Sequence, residues 1–377
     1  MKRLAALVGL LLGLAAGFSS FAHAQLIEEG GRRSVVMGGS ISPVATLDFT
    51  SQTYTGQCAT LAACITFTRA SQDTDSYYTD DAGSSYNTYS TDVPVLTSAG
   101  LQVFEARTQY LTTPASPSNQ TVTLTTGQHV LWAIGTGTAT IAAGTGSATG
   151  LGTHTPGTPL VFNVTVGGTF NVSKTGTLNR WQLEKGTFAT PFMPGASRAE
   201  TVAQLTGPAL TALQGGSGSA IVQVSDMASP VTATAFIGSN GANFPLYYFG
   251  ATNKVRTYNN SAALDVAAAP TITAPLRAAV AWAAGGRSVT FNGNTVASDA
   301  GVFVSPAISS AYLGSQTSGT QYWLNGHVAS LSFYSKRLPD ATLKAKSVVG
   351  ASYAANDNGV RFAFANDNLP VLWRIAL

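Results

Sequence analysis

Charge is what this 377-residue chain has least of. Asp, Glu, Lys and Arg make up 10% of it, against the roughly 25% usual in soluble globular proteins. The formal net charge is +3. It falls to +1 (3 − 2) once a leader carrying Lys2 and Arg3 is removed. No basic stripe forms, which argues against a nucleic-acid partner. Acidic residues number 17 and histidines four, and no histidine has the spacing of a zinc site or a catalytic triad. Neither a Gly-x-Ser-x-Gly elbow nor a phosphate-binding loop occurs. There are two cysteines, too few for a structural zinc site. Beyond the N-terminus no apolar run approaches the ~20 residues that span a bilayer, so no membrane span is expected.

Glycine (39 residues), threonine, serine and alanine fill the space that charge leaves. That composition suits short strands and tight turns rather than long helices. At the N-terminus, "MKR", then "LAALVGLLLGLAAGF", then "AHA" have the form of a secretory signal cut after Ala24. The chain is therefore expected outside the cytoplasm, secreted or surface-displayed. Export makes a disulfide between Cys58 and Cys64 the expected state of "CATLAAC".

The mature chain divides, on this reading, into a flexible leader (25–43), a first β-rich region (44–195), a linker (196–216), a second β-rich region (217–348) and a tail (349–377). "TVTLTTG", "HVLWAIG" and "LVFNVTV" are strand-like in the first region. "SAIVQVS", "TATAFIG", "PLYYFG", "LRAAVAW" and "SVTFNG" are so in the second. Asn292-Gly293 is a type I′ hairpin signal. In "YWLNGHVASLSFYSKRLPDATLKA", Asn325-Gly326 turns the chain. Ala329, Leu331 and Phe333 share one strand face, and Pro339-Asp340 opens a short helix whose Leu343 can pack back on the sheet. The expected fold is all-β: two tandem antiparallel β-sandwiches with one short helix after the last strand.

Several stretches, in order, resemble phage tail-fibre-like and prophage surface proteins. They are "ITFTRAS" (65–71), "YYTDDAGS" (77–84), "FEARTQYL" (104–111), and "RWQLEKGTFATPFMPG" (180–195) with "SRAE" (197–200). The last is also similar to the strand end of jelly-roll carbohydrate-binding modules. The second region, closing on "LNGHVASLSFYSKRLPDATL", resembles a concanavalin-like or laminin-G-like sandwich. Here Pro339 stands where the family has a capping Ser, and Thr342 where it has Glu, so the capping box is forgone. The resemblance spans 44–348. It implies a virion or cell-surface scaffold, a surface polysaccharide or other glycan as ligand, and further copies of the chain as partners. It also leaves calcium open at a sandwich edge, with Asp226 and Asp299 as the available carboxylates.

A sugar ring has an apolar face and polar rims, so aromatic side chains beside amides are the groups that bind it. The candidates are "YYF", where Tyr247 and Phe249 share one strand face and Tyr248 takes the other, so that one set is core and Tyr248 is taken as the ligand-facing residue; Tyr258 with Asn259 and Asn260; and Tyr322 and Trp323 with Asn325. Trp132, Trp181 and Trp282 lie in apolar runs and are expected in the core. The acidic run "DTDSYYTDD" (73–81) could hold calcium but fits turns better, its carboxylates accepting backbone amides. A glycosidase would need two carboxylates. Glu105 and Glu184 are the best pair, each expected in an ion pair with a neighbouring arginine. The leading expectation is a non-enzymatic glycan-binding surface protein. The alternatives are a purely structural surface or virion component and a secreted glycoside hydrolase.

Overall fold

The computed structural model describes residues 41–351 except 83, 229–232, 240–245, 260–261, 272–273, 301–307 and 317–321, together with the backbone of His23–Glu29, Arg32–Gly38 and Val360–Phe364. The chain is all-β with antiparallel pairing, as its short alternating runs predict.

The strands do not sort by the ranges 44–195 and 217–348. One large sandwich, the host, draws on both. Its first sheet runs, in spatial order, Ala262–Asp265, Lys254–Asn259, Leu246–Phe249, Ala233–Ser239, Ala311–Leu313, Val202–Leu205 and Ile65–Thr68. Its second sheet has nine strands and is organised around Gly326–Tyr334. That strand pairs with Gly218–Ser225 on one side, and on the other with Ala45–Asp48 and Gly100–Val103 in succession. Between the sheets lie Leu47, Phe49, Leu101, Val222, Phe236, Val280, Leu331 and Phe333, all essentially buried. A bulge opposite Gln223/Val224 skips Ala329 and turns Val328 into this core, so the regular alternation expected of 329–333 breaks there.

A second, smaller sandwich is inserted in the host. One of its sheets orders Gln120–Leu124, Gly168–Thr175, Thr138–Ala143 and Gly152–His154. The other orders Ser147–Thr149, Leu160–Val166, Gly127–Gly135 and Leu178–Lys185. Leu131, Ile141, Phe162, Phe170, Trp181 and Leu183 fill the space between them. Strand Gly127–Gly135 is buried on both faces: Leu131 and Ala133 face this core, while Val130, Trp132 and Ile134 pack on Ala189 and Phe192. That accounts for the unbroken apolar run "HVLWAIG". The insert's entry and exit strands pair with each other, Arg107 opposite Arg198 and Thr108 opposite Ser197. At this neck the buried Asp73 carboxylate lies between Arg198 (3.8 Å) and Arg69 (3.9 Å).

The expected linker 196–216 is ordered. It holds strands Ser197–Arg198 and Val202–Leu205 and a helix, Gly207–Gln214, with Pro208 in its first turn and Ala209 and Leu213 on the core. This helix was not foreseen. The expected one, Asp340–Lys346, follows Gly326–Tyr334 and buries Leu343; its N-cap, Pro339, makes no side-chain capping bond. Asn292 and Gly293 both take the positive φ the hairpin requires (45° and 73°). Cys58 and Cys64 form a disulfide in the host core, and Trp132, Trp181 and Trp282 are buried.

The leader, expected to be flexible, lies in two paired strands, His23–Glu29, which begins two residues before the expected cut, and Arg32–Gly38; Val360–Phe364 of the tail pairs with the second. These segments make a unit separate from Val44–Ala351. Leader and tail each lack a pattern long enough to pack alone, and the pairing of Arg32–Gly38 with Val360–Phe364 joins opposite ends of the chain, beyond any local sequence window.

Candidate functional site

The parity of one strand decides the site. In Leu246–Phe249, Leu246 and Tyr248 point into the host core, and Tyr248 donates its hydroxyl proton to Asn253 Oδ1 at 2.7 Å. Tyr248 is therefore a core residue and not a platform for ligand. Its neighbour Tyr247 takes the opposite face, beside Ala233 and Ala235 of the next strand, with Tyr258 packed against them. The Tyr247 and Tyr258 rings are 5.8 Å apart at 33°. Arg256, the cross-strand partner of Tyr247, lies with its guanidinium 5.7 Å from the Tyr258 ring centre.

Arg256 Nε and Nη2 donate to the two carboxylate oxygens of Asp265 on the adjoining strand, the second at 2.7 Å. It also hydrogen-bonds the Tyr247 hydroxyl. The bond to Asp265 holds the Arg256 guanidinium above its ordinary range, and burial pushes the Tyr247 phenol up against the opposing pull of Arg256. Arg256 and Tyr247 keep their charge state across the working pH range, and Arg256 is matched by Asp265 in an ion pair. Arg256 and Asp265 were missed in the sequence, and of the two faces of "YYF" the one with Tyr248, not Tyr247, proves to be core, though a signal was there. Leu246 shares parity with Tyr248, and Arg256, poorly suited to the core, sits opposite Tyr247.

Beside this face runs the loop Tyr322–Asn325. Tyr322 is 37% exposed, and every other aromatic whose burial is described is buried or half-buried. Its backbone is left-handed, φ 53°, which is costly for a bulky residue. Four hydrogen bonds hold the loop there. The Ala235 N–H donates to the Tyr322 carbonyl (2.8 Å), Leu324 N–H to Gly314 O (2.7 Å) and Ala228 N–H to Asn325 O (3.0 Å). The Glu105 N–H donates to Asn325 Oδ1 (3.0 Å). Ala235 thus joins this loop to the Tyr247–Tyr258 cluster. Trp323 is half-buried against the host core. Asn325, at φ 48° and 8% exposed, is a structural pin rather than a ligand contact, because its side-chain oxygen is taken by the Glu105 amide. The Asn259 backbone pairs with Ala262; its side chain and all of Asn260 lie outside the described residues.

The acidic candidates meet separate partners. Asp75 accepts from the Asn87 backbone (2.7 Å) and side chain (2.6 Å). Asp80 accepts from the Tyr77 amide (2.9 Å) and Arg180 (3.1 Å), as turn chemistry predicts. Asp226 faces His327 at 3.3 Å, and Asp299 is paired with Arg287. Among the described residues no three His, Cys, Asp or Glu side chains gather as a metal site.

Glu105 and Glu184 share one arginine: Arg107 lies 2.6 Å from Glu105 and 3.8 Å from Glu184. Glu184 is fully buried and accepts bonds from the Thr190 amide (2.7 Å), the Thr190 hydroxyl (2.6 Å) and Gln182 Nε2 (3.0 Å). A polysaccharide outside the protein has no access to it. No helix among the described residues is long and apolar enough to cross a membrane.

No family model and no curated protein matches the chain. Among solved structures it is similar to the CBM40 of the Ruminococcus gnavus IT-sialidase bound to α2,3-sialyllactose (16% identity, TM-score 0.32, covering 37% of this chain and 87% of that one). It is similar also to the Trypanosoma rangeli sialidase (16%, 0.32, covering 39% and 26%). A third is the binding domain of botulinum neurotoxin DC (12%, 0.28, covering 37% of each chain). These likenesses concern the β-fold alone.

Proposed function

We propose that the chain is a non-enzymatic, surface-displayed binding protein of the tail-fibre or receptor-binding kind. It takes a glycan at the edge of the host sandwich where Tyr322 adjoins the Tyr247–Tyr258 face. Export through a signal cut after Ala24 would bring it to that surface. The observation that carries the reading is Tyr322. Its bulky aromatic ring is held open to solvent on a left-handed backbone by a loop pinned at four points. Strain of this kind costs on the order of 1–3 kcal/mol and persists where the surroundings over-determine it, which is characteristic of ligand-binding positions. A rigid ring loses little entropy on contact and offers an apolar face to the C–H side of a sugar.

The test is a screen of the purified chain from Gln25 onward against glycans and cell-envelope polysaccharides, with the Tyr322→Ala and Tyr258→Ala variants in parallel. Saturable binding by the parent, weakened tenfold or more by Tyr322→Ala with the fold intact, is the expected result; a stacking aromatic is worth about 1.5 kcal/mol or more at a well-packed contact. Absence of binding to every preparation would replace this reading with a structural role, as a decoration or linker in a surface or virion assembly.

A further inference from the structure

The motif "QLEKGTFAT" is not used by the glycan site, and the groups it brings together are reactive. Gln182 and Glu184 alternate on one face of strand Leu178–Lys185, and the chain turns back to lay Thr190 over both. All three are fully buried. The Thr190 hydroxyl donates to Glu184 Oε2 at 2.6 Å, so its lone pairs are left for the Gln182 amide, whose Nε2 is 3.3 Å away. That nitrogen has two hydrogens and also faces Glu184 Oε1 (3.0 Å), Thr190 O (3.3 Å) and Pro191 O (3.3 Å). On the other side of the amide, the Met193 N–H donates to Gln182 Oε1 at 2.7 Å.

This set is a nucleophile on its base, an amide beside the nucleophile, a donor on the amide oxygen and a carboxylate oxygen beside the leaving nitrogen. We propose that Thr190 and Gln182 join in an intramolecular ester. The Thr190 Oγ–H bond breaks and its proton passes to Glu184. Oγ bonds to Gln182 Cδ, and the displaced electron pair rests on Oε1 under the Met193 N–H. The tetrahedral centre then collapses and the Cδ–Nε2 bond breaks. Glu184 returns the proton to the nitrogen, and ammonia leaves. No oxidant or further reactant is consumed.

A single turnover is enough, and the fold holds nucleophile, base and amide side by side, so the step is intramolecular. Ammonia is protonated and diluted in bulk water, which draws the reaction forward. The burial that keeps polymers from Glu184 also keeps water from the ester. The product is a covalent staple between the last strand of the insert and the segment returning to the neck.

Trypsin separates the two partners, since it cuts after Arg180, Lys185 and Arg198. Mass spectrometry of the folded parent protein, aged at neutral pH and then denatured and digested, is expected to show peptides 181–185 and 186–198 as one branched species. Its mass would be lower by one ammonia than the sum of the two, and hydroxylamine at mildly alkaline pH would split it. Thr190→Ser keeps the link and Thr190→Val abolishes it. Glu184→Gln slows its formation roughly a hundredfold or more. Two separate peptides at full mass from aged, folded parent protein would overturn the proposal, and so would a link that forms at the parent's rate in Glu184→Gln.

Discussion

Tyr322 carries two opposed consequences. Asparagine accepts a left-handed backbone far better than tyrosine, so Tyr322→Asn should raise stability by about 1 kcal/mol while glycan binding is lost. Denaturant melts beside a binding titration check both, and a variant that loses stability would contradict the strain. At the neck, Arg198→Met would leave Asp73 facing Arg69 alone and should cost about 3–5 kcal/mol, the usual penalty for breaking one side of a buried ion pair. The inner-face His129 of the insert stacks on Phe162, its Nδ1 on the Gly127 carbonyl (3.0 Å), and burial pulls its imidazole below the ordinary range. The unfolded chain binds a proton near pH 6.5 that the folded chain refuses until lower pH. Stability is therefore complete above that value and is lost as the pH falls through it, by at most about 1.4 kcal/mol per unit for this group. His129→Phe should flatten that acid slope in melts between pH 7 and 5; an unchanged slope would show that the histidine is not its source.

Among the elements, the strands most legible in the sequence are those whose pattern is complete within themselves. "LVFNVTV" alternates and "HVLWAIG" is continuously apolar because it is covered on both faces. The short helix after the closing strand announced itself through Pro339 and Asp340. Parity was hard to read in "LYYF", where aromatic residues occupy both faces and the distinction rests on Leu246 and on the cross-strand Arg256 and Val255. The helix Gly207–Gln214 was hidden by its length of eight residues and its Gly-Pro start, and the bulge at Ala329 by the regular alternation around it. The disulfide was legible from the two cysteines and the expected export, and in the structure its six-residue spacing encloses one turn of 3₁₀ helix, Leu61–Ala63. Replacing both cysteines with alanine should cost about 2 kcal/mol in chemical denaturation if loop entropy governs. A cost near zero would mean that packing in the core holds this turn unaided.

At the scale of the molecule, the sequence suggested two sandwiches and gave no sign that one interrupts the other. Pairing between Ala45–Asp48 and Gly326–Tyr334, or between Ile65–Thr68 and Val202–Leu205, is a long-range choice that no local composition records. A fragment of residues 217–348 alone lacks every host strand before Gly218, and with them Leu47, Leu101 and Leu205 of the core. It should show no cooperative melt by circular dichroism, where residues 44–351 do; a cooperative fragment would refute the single host core. The position of Gly326–Tyr334 at the centre of the nine-stranded sheet also sets a timetable. The inserted sandwich has all its strands once residue 198 has been synthesised, but the host waits for Gly326–Tyr334, far later in the chain. Until then Ala45–Asp48 and Gly100–Val103 lack the strand that joins them to the rest of the sheet, a long interval for exposed strand edges. Were the chain exported as proposed, that delay would be an advantage: the host sandwich would not lock before it had crossed the channel.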